Sequence, residues 1–157
     1  MNEIIFASRL PAACREELES LMFFHPGQTQ VSGAIDEAIE VYGVPQVTED
    51  GGYLRLRVGE AFDVQNLFAL VGSGEKTELA AAAIYLRTDI ETIVLLHIAV
   101  KEEYSFAGGQ PQEMVTMKTL TKLREIARQI KGVRHIEVLY GNGVTRRLEV
   151  YRQRPGT

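Results

Sequence analysis

Apolar positions recur along the chain at two different spacings, and the switches between them mark out the elements. "EIIF" (Glu3–Phe6) is a short apolar run of strand type. Ser8 is placed to cap a helix that tolerates Pro11 in its first turn. Cys14, Leu18, Leu21 and Met22 then fall at helical spacing until "HPG" (His25–Gly27) stops the element. Val31, Ile35, Ala38 and Tyr42 predict a second, shorter helix, ended by Gly43 with Pro45 beyond it. "EDGG" (Glu49–Gly52) reads as a turn, after which Tyr53, Leu54, Leu56 and Val58 alternate with Arg55 and Arg57 as in a half-exposed strand.

Three further strands are predicted at "VQNLFALVG" (Val64–Gly72), "ELAAAAIYLR" (Glu78–Arg87) and "ETIVLLHIAV" (Glu91–Val100). Their connectors, "SGEKT" and "TDI", are of hairpin length, so the three should run antiparallel as a meander. The alanines at 80–83 are mediocre strand formers, yet a helix that short between two turns is less plausible still. In the last of the three, alternation groups Thr92, Val94, Leu96, Ile98 and Val100 on one face and Ile93, Leu95, His97, Ala99 and Lys101 on the other. Both faces are apolar, which predicts a central strand covered on both sides.

The longest periodic segment is "PQEMVTMKTLTKLREIARQIKG", with Met117, Leu120, Leu123, Ile126, Ala127 and Ile130 as its apolar stripe. Pro111 and Glu113 suit the start of such a helix, Arg128 and Lys131 suit its end, and Gly132 suits the position just past it. "HIEVLY" (His135–Tyr140) and "VTRRLEVYR" (Val144–Arg152) then flank Gly141-Asn142-Gly143, which is hairpin chemistry. The fold class expected is α/β (α+β): one domain over 1–157, with a mixed, mostly antiparallel sheet flanked by helices.

Composition narrows the function classes. At 157 residues, with 45% hydrophobic and 24% charged residues, the chain can build a core of its own. A net charge of -4 gives no footprint for duplex nucleic acid. Cys14 is the single cysteine, so neither an internal disulfide nor a cysteine-based zinc site is expected. No Asp or Glu stands at ligand spacing beside His25 or His135, and no metal is expected. No apolar run approaches the ~18 residues of a membrane span. "MNEIIFASRL" is too acidic and too short in its apolar run for a secretory signal, so a cytoplasmic location is expected.

The candidate chemistry gathers at the end of the predicted central strand. The chain leaves it at Lys101 and starts the long helix near Pro111, so strand carboxyl end and helix amino end meet across "EEYSFAGGQ". Anions favour such a junction, because free helix amides and the helix dipole point into it. His97 is the one ionisable group inside the apolar strand; burial would keep it neutral, either as a general base or as a core histidine bonded to a carbonyl.

Two amino-terminal helices, an antiparallel meander, a strand reading "LLHIAVKEEYS", a long amphipathic helix and a returning strand "HIEVLYG" together resemble the GCN5-related N-acetyltransferase (GNAT) fold over about residues 1–141. The resemblance implies an acyl-CoA-dependent N-acyltransferase that moves an acetyl group from acetyl-CoA to a small-molecule or protein amine. It implies that Ala99 and Val100 lie beside the pantetheine, that Gly108, Gly109 and Gln110 surround the pyrophosphate, and that His97 and Tyr140 are the base and acid candidates. The chain departs from the family pattern in its adjacent glycines and in lacking a helix after the strand at 135–140. A GNAT-fold binding, regulatory or assembly module without acetyl-CoA is therefore the alternative expectation. The terminal strand "TRRLEVYR" is expected at a sheet edge, where a second copy of the chain would cover it in a homodimer.

Overall fold

The computed structural model describes residues 3–23, 45–59, 63–73, 76–101, 104, 112–139 and 145–150. The elements are β1 (Glu3–Ala7), β2 (Leu10–Pro11), a 3-10 turn (Ala12–Cys14), α1 (Arg15–Phe23), β3 (Pro45–Asp50), β4 (Tyr53–Val58), β5 (Gln65–Ser73), β6 (Lys76–Arg87), β7 (Thr92–Val100), α2 (Gln112–Gln129), β8 (His135–Leu139) and β9 (Thr145–Glu149). Among the described residues no helix is long and apolar enough to cross a membrane.

Six strands form one sheet in the order β1-β5-β6-β7-β8-β9. Every neighbouring pair is antiparallel except β7 and β8, which run parallel with α2 as the crossover between them. The α+β class and the mixed, mostly antiparallel sheet are as expected, and β7 lies inside it with Thr92–His97 all buried. One face carries α2, whose Leu123 and Ala127 pack on Leu67, Ala83, Ile93, Leu95 and Ile136. The other face carries α1 and β4, with Leu18, Leu21, Leu54 and Leu56 against Phe68, Ala82, Ile84, Val94 and Leu96. Ala80–Ala83 are 0–1% exposed, and their small side chains are what lets layers close on β6 from both sides.

The helix at the amino end begins later than predicted. Pro11 takes φ -58 and ψ 146 and pairs with Tyr53 instead of opening a helical turn, and α1 proper starts at Arg15. An extended ψ suits a proline whose position needs no ladder donor. The helix predicted through Val31, Ile35, Ala38 and Tyr42 lies outside the described residues. A second, three-stranded sheet, β2-β4-β3, adds to the single sheet expected. Its β3 lies where the sequence predicts only a proline beyond a helix and a turn. Gly51 and Gly52, at φ 59 and 84, form the two-residue loop that folds β3 onto β4.

Two bulges change which face residues occupy. In β6, Ala69↔Ala81 is followed by Leu70↔Leu79, leaving Ala80 as the extra residue. The neighbouring Leu79 N–H is taken up by Glu17 Oε2 of α1 at 3.1 Å. In β7, Ile84↔His97 is followed by Tyr85↔Leu95, leaving Leu96 without a partner opposite. The strict alternation predicted for β7 therefore fails at Leu96. Ile98 packs with Ile93 and Leu95 on the α2 side, Val100 joins Val115 of α2, and Ala99 turns toward α1. His97 sits opposite Ile84, on the α1 face, away from the Ile93 and Leu95 side chains with which alternation grouped it. One inserted residue exchanges the two faces for everything that follows.

Candidate functional site

The parallel ladder between β7 and β8 is short. It runs from Thr92↔His135 to Leu95↔Val138, while β7 continues to Val100, held on its other side by β6 through Ala81↔Val100. Beyond Leu95 no strand among the described residues pairs with β7 on the β8 side. The register change at Leu96 falls where this ladder ends. The amino-terminal part of α2 is at the same end, since Val115 packs with Val100, Tyr104, Ala80 and Ala81. Among the described residues, a stretch of strand edge with no paired strand and a helix amino end thus share one corner, joining hydrogen-bonding backbone to a positive dipole end.

Of the residues singled out in the sequence, Ala99 and Val100 lie on this stretch of β7, half-buried and on opposite faces. Gly108, Gly109, Gln110 and Tyr140 lie outside the described residues. His97 is 8% exposed, and its enclosed Nε2 has no hydrogen-bond partner among the described residues. Burial lowers its pKa to about 4, so the imidazole is neutral near pH 7 and a weak base. Cys14 is half-buried against the α1-side core, where burial first and Glu17 second push its thiol pKa up, which suits packing better than nucleophilic attack.

The tertiary structure also assembles a cluster at this corner that no spacing announced. Glu78, at the start of β6, accepts a hydrogen bond from the Tyr104 hydroxyl at 2.6 Å and another from Lys101 Nζ at 3.2 Å. The Tyr104 bond is the main reason the Glu78 carboxyl lies below its ordinary range; partial desolvation opposes it and Lys101 assists it. These residues are 23 and 26 positions apart, so only the β6–β7 register brings them together. Asn66 likewise carries no signal in the spacing of the sequence. It is 4% exposed, and its amide both accepts from Leu56 N–H and donates to Leu56 C=O, each at 2.9 Å, acting as a one-residue strand between the two sheets.

At the opposite end of the β7–β8 ladder, a shallow depression of about 520 Å³ is lined by Asp89, Ile90, Glu91, Thr92, His135 and Arg147. Its charges are largely answered within the protein. Arg147 Nη2 donates to Glu137 Oε1 at 3.0 Å, and His135 Nδ1 lies 3.2 Å from Glu149 Oε2 without hydrogen-bond alignment. The Asp89 carboxyl is held below its ordinary range chiefly by the Glu91 backbone N–H. Such a neutralised, wide-open hollow has little to offer a charged ligand. Among the described residues no group of three or more His, Cys, Asp or Glu side chains is arranged to hold a metal ion.

Comparison with protein-family models, curated protein sequences and solved structures finds no match for this chain.

Proposed function

We propose that the chain is an acyl-CoA-dependent N-acyltransferase of GNAT type, with its cofactor in the opening between β7 and β8 and a small-molecule or protein amine as acceptor. The observation that carries this reading is the parallel ladder that stops at Leu95↔Val138 while β7 runs on to Val100. A strand edge left open inside a sheet presents N–H and C=O groups in a row, and a ligand built of successive amides satisfies them as an added strand would. The pantetheine arm has that chemistry, and the backbone of Leu96–Val100 would hold it. The amino end of α2 favours the pyrophosphate at the same corner. Acetyl-CoA, when bound, supplies an acyl thioester; the chain's part is to hold it against the β7 edge and to exclude water from the apolar floor made by the central sheet.

His97 favours a second reading, a GNAT-fold binding or assembly module without acyl transfer. Its enclosed Nε2 and weak basicity do not match the requirements of a general base working near pH 7. Calorimetric titration of acetyl-CoA, with a thermal-shift measurement alongside, separates the two. A ligand at a hundredfold excess over its dissociation constant stabilises the fold by about 2.7 kcal/mol. The acyltransferase reading requires such a shift at millimolar acetyl-CoA or below, and its absence leaves the non-catalytic module.

A further inference from the structure

The outer edge of the small sheet is acidic at one end and basic at the other. In the order β2-β4-β3, β3 is the outer strand, and among the described residues it pairs with β4 alone. Gly51 and Gly52, both at positive φ, make a two-residue hairpin loop, and such a loop leaves its flanking residues, Asp50 and Tyr53, as a hydrogen-bonded pair. Bonded and non-bonded pairs alternate from there, so Thr48 and Gln46 also bond to β4, while the N–H and C=O groups of Val47 and Glu49 point to the free edge. Asp50, Thr48 and Gln46 share the outer face with Tyr53, Arg55 and Arg57 opposite them. Asp50 and Arg57 are exposed, and among the described residues neither lies within ion-pair distance of an opposite charge. They stand about 13 Å apart along the hairpin, too far to pair with each other. The edge strand β9 of the large sheet differs, since its Arg147 donates to Glu137 and its Glu149 lies 3.2 Å from His135.

We infer that the β3 edge is a homodimer surface, on which β3 pairs antiparallel with β3 of a second copy about a two-fold axis at Thr48. This register bonds Val47 to Glu49 of the second copy and Glu49 to its Val47, so every edge-facing group of the two residues finds a partner. It sets Thr48 against Thr48, and Asp50 against Gln46 of the second copy. Arg57 of the second copy is next in that row, two strand spacings or about 10 Å from Asp50, a gap that an arginine laid across Gln46 spans. The two-fold axis makes the contact occur twice. Acidic end meets basic end, so the surface is complementary to itself. A foreign acidic segment on the same edge would meet repulsion from Glu49 and Asp50. The dimer is independent of the acyltransferase reading.

Sedimentation equilibrium of the full chain, from micromolar to near-millimolar loading, should show a reversible dimer. Arg57→Asp and Asp50→Arg each set like charges against one another twice, and each should weaken the dimer by on the order of 10-fold. The chain carrying both substitutions should return to within about 3-fold of the wild type. Because the two positions do not meet within one chain, only contact between copies can produce that rescue. Amide exchange at Val47 and Glu49 should slow as the dimer forms. Should a charge-reversed chain fail to fold by circular dichroism, Glu49→Pro takes its place; it removes an edge-facing N–H, leaves the bonds to β4 and should abolish the dimer. A wild type that stays monomeric at every loading overturns the inference and leaves the edge to a different protein. A dimer untouched by the charge reversals or by Glu49→Pro, or a doubly exchanged chain as weak as the single variants, overturns the β3 contact.

Discussion

Protonation of His97 should make the fold acid-sensitive by a calculable amount. Its pKa falls from 6.5 when solvated to about 4 in the folded protein, because burial disfavours the imidazolium. Protons therefore bind the unfolded chain more tightly. The stability concerned is fully present above pH 6.5 and is lost progressively as pH falls from 6.5 to 4. Linkage between those two values puts the loss at about 2 kcal/mol at pH 5 and about 3 kcal/mol at its limit. The perturbation is His97→Leu, which keeps an apolar side chain of similar reach, abolishes the titration and removes the unpartnered Nε2. Urea unfolding followed by circular dichroism at pH 7.5, 6.5, 5.5 and 5.0 should give wild-type and variant stabilities that diverge as pH falls. The variant should gain about 2 kcal/mol on the wild type between pH 7.5 and pH 5. Every other charged group is common to both proteins, so its contribution cancels in the difference. Parallel pH profiles would refute the reasoning and show that His97 is reachable by water or bonded through Nε2.

Two further predictions concern the frame around the site. Asn66→Leu leaves both Leu56 N–H and Leu56 C=O without partners in a buried setting, and should lower unfolding stability in urea by about 2–5 kcal/mol. Gly132 has φ +93, and a Cβ there would lie 3.1 Å from Ile90 Cγ2 and 3.3 Å from Arg87 Nη2, so Gly132→Ala should cost about 1–2 kcal/mol by the same measurement.

The charge at Arg87 shows how the far end of the molecule is closed. Its guanidinium donates to the carbonyls of Asp89, Ile90 and Lys131, bonding the β6–β7 turn to the chain just past α2. Gly132 follows Lys131 at positive φ, as a glycine near a helix end often does. It stands three residues past the end of α2 at Gln129, in the turn closed by Val133 N–H on Ile130 C=O, and not directly after the helix as the sequence predicts. The helix and the strand after it were readable locally, whereas the partner of Arg87 was not. Lys131 is 44 positions away, and only the crossover of α2 back to the sheet brings it near.

Local spacing was enough wherever one face of an element meets one core. The stripe through Leu123 and Ala127, the alternation of Leu54, Leu56 and Val58 with two arginines, and the doubly apolar β7 all follow from burial against a fixed period. The amino acids alone thus determined the long helix, the antiparallel meander, the central strand and the terminal strand, which lies at the sheet edge as β9. The tertiary structure decided the rest. It split off a second sheet, turned Pro11 into a strand residue, moved His97 to the other face by one bulge, ended the β7–β8 ladder early, and brought Glu78 to Tyr104. Each of these depends on register between segments distant in sequence, and register is fixed by packing and pairing of the whole sheet, which no local window contains.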